Sequence, residues 1–178
     1  GGSHINLMKA ESTGPAVGKL VPKIKTTARI LYITYFCLTL LQFIFLLFGK
    51  VPVFDSFCIA FGTAGTGGYS NYNDSFASSS NYAIWITTIF MILFGFNFNF
   101  YYLVLFGNLK KALRMEELRS YLAIILLAIA VIFIYLVAGS GAGIFDSLTD
   151  AAFQVASIIT TTGFASTDYD TWHQVPKI

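Results

Sequence analysis

Polar and apolar residues fall along this chain in long blocks, not in the short alternation of a soluble domain. Residues 30–49, 75–109 and 120–145 contain no charged side chain, and within the second block 82–106 is densely apolar. Each block reaches the roughly 20 residues that a helix needs to cross a ~30 Å hydrocarbon layer. Two further segments, around 54–72 and 149–167, begin apolar and end in glycine, threonine and serine. They are too apolar for water-exposed loops and too short to span, which is the pattern of a re-entrant segment. Irregular backbone at membrane depth is tolerated only where protein encloses it or where it lines a watery cavity. The pattern therefore predicts an all-α membrane protein built on a repeated unit of helix, re-entrant pore segment and helix.

The predicted organisation runs as follows. Residues 1–27 form a cytoplasmic linker or the end of a preceding segment. A complete repeat covers 28–107, with spans near 28–49 and 81–107 around the pore segment 54–72. A cytoplasmic linker, 108–119, leads to a partial repeat over 120–178, with a span near 120–140 and a pore segment at 149–167. The opening residues are too polar and glycine-rich to span, and no charged, then apolar, leader pattern starts the chain.

Composition agrees with the pattern. The 178 residues are 56% hydrophobic and only 11% charged, against about 25% charged in soluble domains. The net charge of +2 conceals an asymmetry that orients the spans. Lys9, Lys19, Lys23, Lys25 and Arg29 precede the first span, and Lys110, Lys111, Arg114 and Arg119 follow the second, with Glu116 and Glu117 beside them. The positive-inside tendency puts both segments in the cytoplasm. The opposite connections hold Asp55, Asp74, Asp146, Asp150, Asp168 and Asp170, with Lys50 and Lys177 as exceptions. An acidic mouth concentrates cations.

The two re-entrant segments align without a gap. Asp55 stands thirteen residues before Gly68, and Asp150 thirteen before Gly163. Between them "DSFCIAFGTAGTGGY" follows the pattern of "DAAFQVASIITTTGF", so that Thr66, Gly67, Gly68 and Tyr69 fall opposite Thr161, Thr162, Gly163 and Phe164. Asp55 and Asp150 are suited to capping short helices, because a carboxylate accepts free N–H groups and complements the helix dipole. The negative C-terminal ends of those helices then favour a cation. Carbonyl and threonine oxygens that follow can replace its hydration shell. Gly68 and Gly163 supply a conformation that a Cβ makes costly, and Tyr69 and Phe164 are expected to pack behind the filter.

Other polar residues read more simply. Asn97 and Asn99 stand in the second span, where an unpaired amide is expensive, and are expected to face neighbouring helices or a vestibule. Gly95 suits close helix approach. Trp85 and Trp172 fall where an aromatic belt lies. Cys37 and Cys58 match neither a disulfide framework nor a metal pattern, and His4 and His173 are isolated. No nucleophile grouping, metal-ligand cluster or phosphate loop points to an enzyme. The basic residues form short juxtamembrane patches, unlike a nucleic-acid-binding face.

The stretches "FGTAGTGGYSNYNDSF", "GFNFNFYY" and "SIITTTGFASTDYDTW" resemble the second and third pore repeats of the Trk/Ktr/HKT superfamily of potassium uptake proteins, most of all its bacterial Trk-type branch. "STGP" and the basic run up to Arg29 resemble the linker ahead of the second repeat. The resemblance implies a fold related to potassium channels, in which four repeats surround one pseudo-fourfold path through the cell membrane. Carried over, Gly68 and Gly163 are signature glycines, with Thr66, Gly67 and Tyr69, then Thr161, Thr162 and Phe164, as filter neighbours. K+ is then the transported ion, held by backbone carbonyls, with no organic cofactor in this chain. Implied partners are the remaining pore repeats, a second pore subunit in a homodimer, a cytoplasmic nucleotide-binding regulatory subunit and membrane lipids. The chain holds one repeat and part of another, as a fragment of such a pore subunit would. A cation-coupled secondary transporter and a noncatalytic membrane assembly subunit remain the alternatives.

Overall fold

The structure is a computed structural model that describes residues 24–72, 74–139 and 143–167. Every element among the described residues is a helix: α1 (Ile24–Phe48), α2 (Val53–Ala64), α3 (Asn81–Phe94), α4 (Phe98–Leu105), α5 (Leu109–Leu113), α6 (Glu116–Gly139) and α7 (Ile144–Ile159). Two are long and apolar enough to cross a membrane, over Ala28–Phe48 and Glu116–Gly139, and α3 with α4 makes a third if the pair counts as one broken span. The outward residues of α6 include Leu126, Leu127, Val131 and Ile134, all exposed. Apolar side chains presented along a helix of 24 residues suit lipid as their solvent.

The chain divides into two compact units, Gly1–Cys37 with Phe96–Tyr121, and Leu38–Gly95 with Leu122–Ile178. In the first, Phe96 meets the rings of Phe100 at 5.0 Å and Tyr121 at 5.8 Å, both edge-on, the geometry favoured by the ring quadrupoles. The Asn97 side-chain amide donates to Glu117 at the start of α6. Its carbonyl oxygen accepts from the Asn99 backbone N–H at 3.0 Å. Asn99 itself is buried. Asn97 thus serves a helix start and a neighbouring helix, in keeping with the cost of a free amide in an apolar setting, whereas the buried Asn99 side-chain oxygen has no hydrogen-bond partner among the described residues.

These same residues explain a departure from expectation. The stretch expected to form one span over 81–107 is two helices, α3 and α4. Gly95 ends α3, its N–H bonded to the Leu93 and Met91 carbonyls, and Asn97 takes an extended backbone at φ −60°, ψ 141° and caps α4. A polar side chain that offers the next turn a better partner than the preceding helix breaks the ladder. Three helices also begin earlier than expected: α1 at Ile24, α6 at Glu116 and α7 at Ile144.

In the second unit, α3 packs against both short helices, α2 and α7. Its buried face carries Ala83, Ile84, Thr87, Thr88, Phe90, Met91 and Phe94, the i, i+3/i+4, i+7 spacing of one helical side. Leu46, Ile59, Phe76, Met91, Phe153, Ala156 and Phe164 join in one core. Phe76 is the hinge of its aromatic part, with ring centroids 5.1 Å from Phe153 and 5.0 Å from Phe164. At the rim, the Trp85 indole N–H donates to the Thr149 hydroxyl at 3.1 Å, which ties α3 to α7.

Phe153 has no exposed surface and is enclosed by protein, so an acyl chain cannot fill the space its ring leaves. Phe153→Ala is expected to destabilise the protein by about 3 kcal/mol or more. Thermal unfolding in detergent should show a clear fall in midpoint for this variant and little change for Leu127→Ala on the exposed side of α6.

Candidate functional site

The two segments expected to be re-entrant end their short helices in the same way. At the first, Thr66 N–H donates to Thr63 O at 3.2 Å and Gly67 N–H to Gly62 O at 2.9 Å. At the second, Thr161 N–H donates to Ile158 O at 3.0 Å and Thr162 N–H to Ser157 O at 2.8 Å. Each is a Schellman end, which requires a left-handed residue just beyond the helix. That residue is threonine in both, Thr66 at φ 48° and Thr161 at φ 57°. A β-branched residue in this region is an outlier that costs about 1–2 kcal/mol, and it persists only where its surroundings over-determine it. Two residues later the backbone turns left-handed again, at Gly68 (φ 64°) and Gly163 (φ 85°). The repeated geometry covers both Schellman bonds of the two helix ends, and the second end adds a bond of 3.4 Å from Gly163 N–H to Ser157 O.

The two glycines stand against each other. A Cβ on Gly68 would lie 2.4 Å from the Thr162 carbonyl oxygen and 3.2 Å from Gly163 Cα. A Cβ on Gly163 would meet nothing closer than Gly68 Cα at 3.7 Å. Position 68 is therefore closed to side chains by both contact and conformation, position 163 by conformation alone. Thr66, Gly67, Thr161 and Gly163 are exposed, Gly68 is half-buried and Thr162 is buried. The Thr162 hydroxyl pairs with that of Thr160 at 2.7 Å, and Thr160 in turn donates to Ala156 O.

The residues after the glycines differ from each other. Phe164 is buried in the aromatic core, so the expectation of packing is met there. Tyr69 is 85% exposed, so the expectation of packing is not met there. Phe164 is drawn inward by Phe76 and Phe153, while among the described residues no ring stacks on Tyr69.

Neither aspartate caps its helix. Pro52 is the N-cap of α2 and Gly143 that of α7, and neither provides a side-chain bond. Pro52 sets the start of α2, leaving Asp55 inside its first turn. With no proline ahead of it, α7 starts well before Asp150, and Asp146 occupies its first turn. Both aspartates instead tie the helix to the chain leaving the glycine. Asp55 accepts from the Asn71 amide at 2.9 Å and from the Tyr72 hydroxyl; Asp150 accepts from the Ser166 hydroxyl at 2.9 Å. Each tie spans sixteen residues.

Sequence reasoning missed Asn71, Ser166, Ser157 and Gln42. The offset that aligns the aspartates also aligns Asn71 with Ser166 and Gly62 with Ser157, so three of the four were within reach of a longer alignment. Gln42 had no such signal. It comes from α1, is wholly buried, and donates its amide to the Thr63 hydroxyl at 2.8 Å, directly behind the end of α2. Asp168, Asp170, Trp172, His4 and His173 lie outside the described residues, and Cys37 and Cys58 are free thiols.

The aspartates titrate in opposite directions. The Tyr72 hydroxyl and the Asn71 amide favour the ionised form of Asp55 and hold its carboxyl below the usual value. Its stabilising contribution is present above the ordinary carboxylate pKa and is lost as pH falls through the lowered one. Burial pushes Asp150 up, the Ser166 hydroxyl opposes that, and the negative Asp146 adds to it. Its contribution is present below the ordinary pKa and lost as pH rises through the raised one. In unfolding midpoints measured against pH, Asp55→Asn should lower stability at neutral pH and weaken the acid-side loss. Asp150→Asn should leave neutral stability unchanged or higher. Equal losses at neutral pH for the two variants would contradict this difference.

Comparison with known proteins agrees over most of the chain. The TrkH family, described as cation transport protein, matches residues 3–178. The Trk system potassium uptake protein TrkG of Escherichia coli K12 is 31% identical over 172 residues, covering 93% of this chain and 35% of the relative. TrkH of Vibrio parahaemolyticus is 31% identical over 175 residues, covering 94% of this chain and 36% of the relative. The crystal structure of the potassium transporter TrkH from Vibrio parahaemolyticus superposes with a TM-score of 0.79 at 27% identity, over 88% of this chain and 34% of that one. The chain thus spans about a third of the length of these relatives. With its helices of membrane-spanning length and its family match, it is a multi-pass membrane protein that belongs to the TrkH family of cation transport proteins.

Proposed function

We propose that this chain provides two adjacent walls of a potassium-selective path and works as part of a longer pore subunit. The observation that carries this reading is the contact of Gly68 with Gly163, each at the end of an identically terminated short helix. The relatives are named potassium uptake proteins, which supports K+ as the transported ion. Two walls do not enclose a path. The remaining repeats would supply the others, with a second pore subunit and a cytoplasmic nucleotide-binding subunit as further partners.

The mechanism follows from backbone chemistry. In each wall φ is positive at the threonine and at the glycine two residues later, and not at the residue between them. Such alternation flattens the backbone into a ribbon whose carbonyls can face one side. Carbonyl oxygens of Thr66, Gly67 and Gly68, and of Thr161, Thr162 and Gly163, would replace the hydration shell of the ion. Helices α2 and α7 would aim the negative ends of their dipoles at it. Tyr69 and Phe164 border these ligands, and the Phe164 carbonyl is turned to Ser157. Inward movement would draw on the membrane potential, about 2.3 kcal/mol per charge per 100 mV.

Rescue of potassium-limited growth in uptake-deficient cells tests the reading. The full-length protein should lose rescue or K+/Na+ preference by about tenfold or more, about 1.4 kcal/mol, on either Gly68→Ser or Gly163→Ser at matched membrane abundance. Current with a reversal potential set by K+ alone would distinguish a pore from a coupled transporter. Unchanged uptake and selectivity in both variants would remove the filter assignment and leave an architectural role.

A further inference from the structure

The two walls are held unequally, and the difference lies just past the signature glycines. In the second wall, the peptide that joins Phe164 to Ala165 is gripped at both ends. Its carbonyl accepts from the Ser157 hydroxyl at 2.6 Å, and its N–H donates to the Ser75 hydroxyl at 3.1 Å. The next carbonyl, of Ala165, accepts from Phe76 N–H at 2.8 Å. Ser157 is buried, and its hydroxyl reaches forward to this peptide although a helical serine can bond back to its own helix. Ser75 approaches from the loop after the first wall, itself in a left-handed conformation at φ 54° and fixed by the Ser70 hydroxyl on its carbonyl at 3.2 Å.

Among the described residues the first wall has no such grip at the corresponding place. The residue aligned with Ser157 is Gly62, which has no hydroxyl to give. A Cβ there would stand 3.4 Å from Tyr69 O, the carbonyl aligned with that of Phe164, and 3.0 Å from Phe164 Cζ. The ring of the second wall thus occupies the room in which the first wall would carry its own serine.

We infer that Ser157 and Ser75 are positioning residues for selectivity: together they clamp the 164–165 peptide so that its carbonyl stays turned away from the ion path. A peptide free to rotate would present an extra carbonyl to the ion, or withdraw the Gly163 carbonyl beside it, and change the number and spacing of oxygen ligands. The inference rests on the filter reading proposed above. Neither hydroxyl is a direct ion ligand in it.

The test compares apparent KM values for K+ and Na+ in the full-length protein at matched membrane abundance, using Ser157→Ala, Ser75→Ala, the double variant, Ser157→Thr, and Gly163→Ser as the filter control. Each alanine variant should reduce K+ over Na+ preference by about two- to tenfold, the range that one buried hydrogen bond commands, while K+ uptake persists. The double variant should fall no further than the more severe single one, because both lesions free the same peptide. Ser157→Thr, which keeps the hydroxyl, should retain most of the preference. A fall in maximal rate alone, with the ion ratio unchanged, would make the serines merely structural and overturn the inference. If Gly163→Ser alters selectivity and the alanine variants do not, the clamp fails and the filter stands. If none of the variants alters selectivity, the filter reading falls and takes the clamp with it.

Discussion

The backbone has to turn left-handed twice within three residues at the end of each short helix, and the two turning points have to touch. Most of the second unit can be derived from that constraint. Contact at 68 excludes any side chain, and the left-handed threonines at 66 and 161 need the Schellman bonds that hold them. Those bonds consume carbonyls of the last helical turn and so fix where α2 and α7 end. Packing then follows: Phe164 leaves the second turn directly into the aromatic core formed with Phe76 and Phe153, and α3 lies across both short helices to seal it.

A second constraint acts further back along the same helices, in the first turn of α2 and midway along α7. Asp55 and Asp150 each reach sixteen residues along the chain to hold the segment that leaves its glycine. Each helix and the segment that leaves its glycine are thereby joined at two levels, by backbone bonds at the helix end and by a carboxylate further back along the helix. The environments are nonetheless unlike. Two donors meet the Asp55 carboxylate, whereas Asp150 is further buried and has Asp146 one turn before it on α7. Equal spacing in sequence produces the same tie and opposite electrostatics, because ionisation depends on what the other elements bring to the carboxyl.

Much of this was legible in the sequence. Apolar block lengths point to the helical membrane class, and the thirteen-residue spacing from Asp to Gly marks both glycine turning points. Three features were not legible, for separate reasons. The break between α3 and α4 hides in uniformly apolar composition, since a hydropathy window averages over Gly95 and Asn97 although these are the residues that stop one helix and cap the next. The capping role given to Asp55 and Asp150 was plausible for their residue type, but helix starts are decided upstream, at Pro52 and Gly143. Gln42 could not be found at all, because its place behind Thr63 depends on how α1 packs and not on any local pattern.

The unequal treatment of Gly62 and Ser157 shows what two similar segments can do when they belong to one polypeptide. In a ring of identical subunits every wall carries the same residue at each position, so a ring from one wall can enter the space beside the next only if every wall has both the ring and the space. Covalently joined repeats are free of that symmetry. Phe164 fills the room beside Gly62, and the position aligned with Gly62 is free to carry Ser157, which holds the Phe164 carbonyl. The ring that denies a serine to the first wall is thus attached to the peptide that a serine holds in the second. Departures from exact repetition at this site are complementary, each made possible by the other, and the contact between the walls is asymmetric because two different sequences meet there.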